Sequence, residues 1–187
     1  VDVTSGGSSS ARPDGGRHAR GRGKLTARAV DAVVTGALGV YSLVYVSDEE
    51  IAFDDASLRA LGERCSEKNY ANGVTGYLSW QGGSFFQFLE GEEHVVRELM
   101  RSITLDGRHA VGRIAELGLW ETRLFADWDM CFRDPPSPTE GRIQAEVERT
   151  MRMLWAPNLA GKEDTRQIGS MIERIASLVR EGDPVVE

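Results

Sequence analysis

The chain contains the run Phe85-Phe86-Gln87-Phe88-Leu89-Glu90-Gly91, in which one amide stands among aromatic and aliphatic residues. This composition is typical of a buried β-strand, and strand alternation places Phe85, Gln87 and Leu89 on one face. A buried amide without a partner costs about 1–3 kcal/mol, so Gln87 is predicted to have a polar partner there. An amide both donates and accepts, and its two ends exchange roles by rotation. Gln87 is therefore either an internally paired core residue or a two-position switch that faces a ligand.

Two neighbouring segments direct further polar side chains towards the same space. Tyr45 lies in the apolar strand 43–47, and Asn69 ends the apolar stripe of a helix that Asp54 or Asp55 can cap. Apolar walls with a few convergent hydrogen-bonding groups are what a flat ring with polar edges requires, so these elements predict a ligand pocket. The apolar stripe of the helix consists of Leu58, Leu61 and Cys65.

The order of predicted elements indicates the fold class. A third strand, 73–80, turns through Gly82-Gly83 into the strand that carries Gln87. The whole pattern is βαββαββ, which predicts an α+β, ferredoxin-like sandwich with two helices covering one sheet face. The core stripe of the second helix consists of Val96, Leu99, Met100 and Ile103. The predicted ranges are strand 40–47, helix 55–68, strand 73–80, strand 84–90, helix 92–104, strand 110–117 and strand 127–133.

The last 50 residues contain two further amphipathic stripes, separated by Pro157. They predict two helices that pack on the sheet face left bare by the first two helices. These helices either simply cap the sheet, or carry a signal, or do both. The first stripe consists of Ile143, Val147, Met151 and Leu154, and the second of Ile168, Met171, Ile172, Ile175 and Val179.

Composition and charge set limits on the partners. The chain has 187 residues, 41% of them hydrophobic, and a net charge of −7. Residues 1–39 hold six of the 22 basic and three of the 29 acidic residues, which leaves residues 40–187 with a net charge of −10. An acidic body argues against direct binding of nucleic acid. Residues 1–28 are rich in Gly, Ser and Arg and show no apolar period, so we interpret 1–39 as a disordered tail, with a basic arm for an anionic surface as the alternative.

The remaining composition argues for a cytoplasmic protein. No stretch reaches the about 18–20 apolar residues that a membrane-spanning helix requires. Cys65 and Cys131 have neither metal nor redox spacing, and both fit a reducing compartment. No cluster of His, Cys and carboxylate residues has metal-ligand spacing, and no Ser-His-Asp order, Walker loop or GxGxxG motif is present. We therefore expect no metal.

Several short motifs follow one another from Val40 to about Asp134. They are Tyr45 with Ser47, Asn69, Thr75-Gly76, Phe85-Phe86-Gln87, Leu89-Glu90-Gly91, Asp106-Gly107-Arg108-His109, and Arg123-Leu124-Phe125-Ala126-Asp127-Trp128-Asp129-Met130. In order and spacing they resemble the BLUF family of blue-light sensors, which use a flavin. The resemblance implies a flavin-binding domain at 40–134. With the composition of the tail 1–39 and the two C-terminal stripes, it divides the chain into that tail, the domain, and a helical segment 135–187 that acts as cap or output.

The resemblance also implies a mechanism and a set of site residues. The flavin would lie between the two helices, where light drives electron and proton transfer from Tyr45 and rearranges the hydrogen bonds of Gln87 into a red-shifted state. FAD is the usual ligand of the family, and FMN or riboflavin stay open. Trp128 and Met130 match the residues linked to signalling, although a Trp-x-Met pair is otherwise ordinary core. The implied cofactor-binding residues are Tyr45, Leu61, Asn69, Phe85, Gln87, Ile103, Asp106, Arg108 and His109.

Two other classes of function compete with a photoreceptor. A small flavin enzyme would need a positioned acid or base and access to the reactive face of the flavin, and the sequence offers none that we identify. A flavin-free binding module is disfavoured because Tyr45, Asn69 and Gln87 are all present. The C-terminal segment is too short and plain for an enzymatic effector. We therefore expect a photosensor without a catalytic domain, which forms a homo-oligomer and acts on an unidentified downstream protein.

Overall fold

A computed structural model describes residues 39–126, 129–131, 138–157, 159 and 161–182, without the side chains of 129–131 and 138. The described residues form five strands and four helices. The strands are β1 (Val40–Glu49), β2 (Thr75–Gln81), β3 (Ser84–Gly91), β4 (His109–Trp120) and β5 (Asp129–Cys131). The helices are α1 (Asp55–Ala71), α2 (Glu93–Thr104), α3 (Pro138–Leu154) and α4 (Lys162–Gly182).

The strands form one sheet in the order β4-β1-β3-β2-β5. β1 is antiparallel to both β3 and β4, β2 is antiparallel to β3, and the short β5 is parallel to β2. The predicted ferredoxin-like βαββαββ order is confirmed. β1 and β3 occupy the middle of the sheet, and their register sets Tyr45 directly opposite Gln87.

The alternation read from the sequence separates the two faces of the sheet as predicted. Phe85 and Leu89 pack with Tyr45 on what we call the pocket face. Phe86 and Phe88 pack on the opposite side, which we call the C-terminal face. The aromatic run of β3 therefore serves two separate cores.

Helices α1 and α2 cover the pocket face. α1 begins at a capping box, in which the Asp54 carboxylate accepts from the Ser57 amide at 2.8 Å and the Ser57 hydroxyl accepts from the Asp54 amide at 2.9 Å. Within α1 the buried residues are Leu58, Gly62 and Asn69, whereas Leu61 and Cys65 are half-buried. The predicted stripe of α2 also lies on this face, with Val96 and Met100 buried and Leu99 and Ile103 half-buried.

Helices α3 and α4 cover the C-terminal face, as the two stripes predict. Every residue of both stripes is at most 9% exposed. Beyond α3, the indole of Trp155 lies over Gly112 of the edge strand β4, where an added Cβ would stand 1.9 Å from the Trp155 Cη2 atom. The two C-terminal helices therefore seal one side of the sheet and reach around to its edge.

Some predictions fall on residues outside this description. They include the proposed disordered tail, apart from Gly39, as well as the side chains of Trp128, Met130 and Cys131. Among the helices that are described, none is both long enough and apolar enough to cross a bilayer.

Candidate functional site

A pocket with a cavity volume of about 160 Å³ lies between α1, α2 and the pocket face of the sheet, and it opens to solvent. Most of the exposed area of its wall is apolar, but about half of the residues that line it are polar or charged. All nine residues predicted to hold a cofactor line this one pocket: Tyr45, Leu61, Asn69, Phe85, Gln87, Ile103, Asp106, Arg108 and His109.

At the floor of the pocket, the Tyr45 hydroxyl donates a hydrogen bond to Gln87 Oε1 at 2.5 Å. Both residues are only 3% exposed. Burial raises the pKa of the Tyr45 phenol well above its usual range, so the phenol stays protonated and acts as the donor. The Tyr45 hydroxyl is thus a polar partner of Gln87, as the burial of the amide predicts.

Asn69 supplies the second amide of the pocket from the last turn of α1. It is 3% exposed, and its backbone carbonyl accepts from the Asn72 and Val74 amides at 3.1 and 2.9 Å. These two bonds fix the end of the helix and thereby the position of the side chain at the pocket wall. An amide held in this way can donate to and accept from the polar edge of a ring.

Asp106, Arg108 and His109 form the wall that follows α2. The Asp106 carboxylate accepts from Arg108 Nε at 2.9 Å and also from Arg108 Nη2, which lowers the pKa of Asp106 to about 2. The His109 ring stacks beside Tyr45, with 6.4 Å between ring centroids. Burial lowers the pKa of His109, so its neutral form is favoured. Its Nδ1 atom is buried without a hydrogen-bond partner among the described residues, which leaves it free for a ligand.

The pocket also contains residues that the sequence analysis did not assign to it. Phe53 packs edge-on against Phe85 with 5.3 Å between centroids, and its place directly before the Asp54 cap was an available signal. Arg64 and Lys68 lie one position before Cys65 and Asn69, so they share a helix edge with the apolar stripe. Cys65, interpreted as core, lines the pocket as a free thiol whose pKa is raised by burial. The other such residues are Leu78, Leu99 and Ser102.

Two further expectations concern the relay residues and metal binding. Trp128 lies outside the described residues, and Met130 belongs to β5 by its backbone alone, so their proposed relay role stays a prediction. Within the described ranges, no group of three or more His, Cys, Asp or Glu side chains is arranged to hold a metal ion.

The chain is similar to proteins of one known family. The model of the BLUF family, described as sensors of blue-light using FAD, matches residues 40–131. Among solved structures, the dark state of the BLUF protein BlrB is 26% identical, with a TM-score of 0.52, and the match covers 73% of this chain and 97% of BlrB. BlsA in its photo-activated state is 24% identical with a TM-score of 0.51, and the match covers 72% of this chain and 94% of BlsA. At this identity the similarity shows the fold alone.

A longer protein shares only part of its length with this chain. BlrP1 from Klebsiella pneumoniae, in a complex with calcium and cyclic diGMP, is 28% identical with a TM-score of 0.50. The match covers 78% of this chain but 36% of BlrP1. No curated protein matches the chain significantly.

Proposed function

Residues 40–131 of this chain form a BLUF domain, and on that premise we propose that the protein is a blue-light photoreceptor switched by Tyr45 and Gln87. The observation that carries the proposal is the hydrogen bond from the Tyr45 hydroxyl to Gln87 Oε1 at the floor of the pocket. A protonated phenol can donate an electron and a proton, and a rotatable amide in direct contact with it can relay the proton. No other buried Tyr–Gln hydrogen bond occurs in the described part of the chain.

The pocket residues fit a flavin by the chemistry of their donors and acceptors. Apolar side chains from α1, α2 and β3 form walls for a flat ring, and the Asn69 amide and the unpartnered His109 Nδ1 are available for its polar edge. A bound flavin supplies absorption of blue light and an excited state that accepts an electron. The chain supplies the donor, the proton path and the exclusion of water.

The hydrogen bond between Tyr45 and Gln87 supports the following proposed steps. Tyr45 gives up an electron, and because the phenol becomes strongly acidic on oxidation, its proton passes to Gln87 Oε1 across 2.5 Å. The amide then rotates or tautomerises, so that its donor and acceptor ends exchange. When the electron and proton return to Tyr45, the amide keeps its new hydrogen-bond pattern, which is the red-shifted signalling state. Dark recovery reverses the amide change, and no substrate is consumed.

The rim of the pocket favours a flavin that carries phosphate. Arg64 and Lys68 line the pocket, and neither has an ion-pair partner among the described residues. Arg108, by contrast, is already bonded to Asp106. Two such cations suit the phosphates of FAD, or the single phosphate of FMN, better than the uncharged chain of riboflavin. Of these two flavins, FAD is the proposed ligand, because the family model that matches residues 40–131 describes sensors that use FAD.

The output is proposed to run through the C-terminal side of the sheet to another protein. Trp128 and Met130 are the proposed relay residues, since β5, which contains Met130, pairs with β2. We propose a homo-oligomer in the cytoplasm that acts on a separate protein without binding nucleic acid or membrane. The described C-terminal residues form helices that cap the sheet, so no catalytic role is assigned to them.

Absorption spectroscopy tests the proposal directly. Purified protein reconstituted with FAD is expected to show a flavin spectrum that shifts to the red under blue light and recovers in darkness. A flavin spectrum without a reversible shift would contradict the photoreceptor and point to a flavin enzyme. Failure to bind FAD, FMN or riboflavin would point to the flavin-free module.

Two variants separate the switch from flavin binding. Gln87→Leu and Tyr45→Phe are each expected to retain the flavin and lose the red shift. Tyr77→Phe is the matched control, because Tyr77 is 4% exposed but packs on the C-terminal face. A normal red shift in Gln87→Leu would sink the assignment of Gln87 as relay.

A further inference from the structure

Glu90 is a buried carboxylate three residues after Gln87 on the same strand. It is 1% exposed, and alternation places it on the face opposite Gln87. Its carboxylate accepts hydrogen bonds from the Thr75 hydroxyl at 2.9 Å and from the backbone amides of Leu124 and Phe125 at 2.8 and 2.7 Å. A buried carboxylate requires such partners, and here two of the three belong to residues 123–125, which we call the 123–125 segment.

Arg123 binds the same segment to two strands. Its guanidinium donates to the Thr75 hydroxyl at 2.9 Å, to the Glu90 carbonyl at 3.0 Å and to the Gly73 carbonyl at 2.8 Å. Burial raises the pKa of Glu90, whereas the three hydrogen bonds to its carboxylate and the Arg123 charge oppose that shift. Side chain and backbone of the segment are thus both attached to the ends of β2 and β3.

On its other side the segment is attached to the C-terminal core. Phe125 is 1% exposed and packs on Phe88, with 5.4 Å between centroids, and on Tyr77, with 5.9 Å. The Leu124 carbonyl accepts from Arg180 Nη1 in the last turn of α4 at 2.9 Å. Consecutive residues of one short segment therefore contact β3 and α4.

We infer that Glu90 is a positioning residue that couples the Gln87 strand to helix α4 through the 123–125 segment and Arg180. Gln87 and Glu90 lie on one strand, so a displacement of β3 caused by the amide change on the pocket face also moves the Glu90 carboxylate on the other. That carboxylate holds the Leu124 amide, and the Leu124 carbonyl holds Arg180. The inference rests on the proposed photoreceptor function. The coupling would be carried by a contiguous set of hydrogen bonds whose geometry differs between the two positions of β3.

Amide hydrogen exchange of the full chain with FAD bound, in darkness and under continuous blue light, tests the coupling. Wild-type protein is expected to show a light-dependent change of exchange in residues 162–182. Arg180→Gln is expected to keep flavin binding and the red shift and to lose most of that change, and Arg180→Lys, which retains a donor, to restore it. Arg166→Gln is the matched control, because Arg166 pairs with Glu163 inside α4.

A second measurement addresses Glu90 itself. Glu90→Gln keeps the shape of the side chain but exchanges one acceptor for a donor that faces backbone N–H groups, so the dark-recovery rate is expected to change by roughly fivefold with the flavin still bound. An unchanged recovery rate in a folded Glu90→Gln protein would contradict the role of Glu90. Should this variant fail to fold, the Arg180 series decides alone.

The outcomes separate the coupling from the function beneath it. A wild-type protein that shifts to the red with no exchange difference in α4, or an Arg180→Gln protein with an undiminished difference, overturns the coupling and leaves the photoreceptor intact. A protein that binds FAD and shows no red shift overturns the proposed function instead.

Discussion

The two faces of the sheet differ in packing density and in polarity. On the C-terminal face, Phe86 and Phe88 and the stripes of α3 and α4 form a dense apolar core, and most of these residues are fully buried. On the pocket face, Tyr45, Gln87 and Asn69 place polar groups among apolar ones, and the facing residues of α1 and α2 are in part only half-buried. Neighbouring residues of β3 belong to opposite faces. The comparison indicates that stability is concentrated on one face, which leaves the other able to bind and to change.

The strongest test of this division compares two phenylalanines of β3. Phe88→Ala should lower the free energy of unfolding by about 3–5 kcal/mol, because it opens a cavity in a closed core. Phe85→Ala should cost clearly less, since the lost ring borders a pocket that is already open. Urea unfolding of the flavin-free protein measures both. Equal losses would show that the faces do not differ in this way.

Ligand binding should sharpen the contrast, because it fills only the pocket face. Free FAD at 100 times its dissociation constant should raise the free energy of unfolding by about 2.7 kcal/mol in darkness. Met151→Ala, a change on the C-terminal face, should lower the starting stability and keep this increment. Asn69→Ala should reduce the increment at the same FAD concentration. Denaturation with and without FAD gives each value, and an increment that Met151→Ala abolishes would contradict the separation.

The smallest expected effect concerns the charged wall of the pocket. Pairing with Arg108 lowers the pKa of Asp106 to about 2 from an ordinary value of 3.8. The pairing therefore stabilises the fold at pH values above 3.8, and this stabilisation is lost as the pH falls towards 2. Both side chains are partly exposed, so solvent screening limits the contribution to below about 1 kcal/mol.

The measurement is the difference in unfolding free energy between wild type and Asp106→Asn. It should be present at about pH 5 and vanish towards about pH 2. Glu181→Gln, which removes an exposed pairing with Arg142 at 3.3 Å, provides the comparison outside the pocket. A difference that grows on acidification would contradict the assignment.

Much of this architecture could be predicted because local periodicity and burial agree. Alternation in β3 assigned Gln87 to the pocket face, and the spacing from Leu58 to Asn69 placed both amides in one space. The resemblance supplied Asp106, Arg108 and His109, which no local pattern would have assembled. All of them line the pocket.

Other features depend on tertiary contacts that leave little trace in local sequence. Arg64 and Lys68 carry no local signal for a binding site, and only the position of the α1 edge over the cavity makes them part of the pocket. Glu90 stands at the end of the aromatic run of β3, and its partners at 124 and 125 are more than 30 residues away. The close approach of Trp155 to Gly112 likewise joins segments whose patterns are independent.

The order of strands in the sheet has a consequence for synthesis of the protein. β1 is the first of the described strands to leave the ribosome, yet it lies between β3 and β4, and Val40 pairs with Trp120, 80 residues later. At about 5–20 residues per second, the edge of this apolar strand that pairs with β4 stays unpaired for several seconds before β4 is made. Unpaired apolar strands readily pair with other chains, so several ribosomes that translate one mRNA at the same time increase the risk of aggregation. We therefore expect the chain to need chaperones early in synthesis, after β1 has been made and before β4 is available to pair with it.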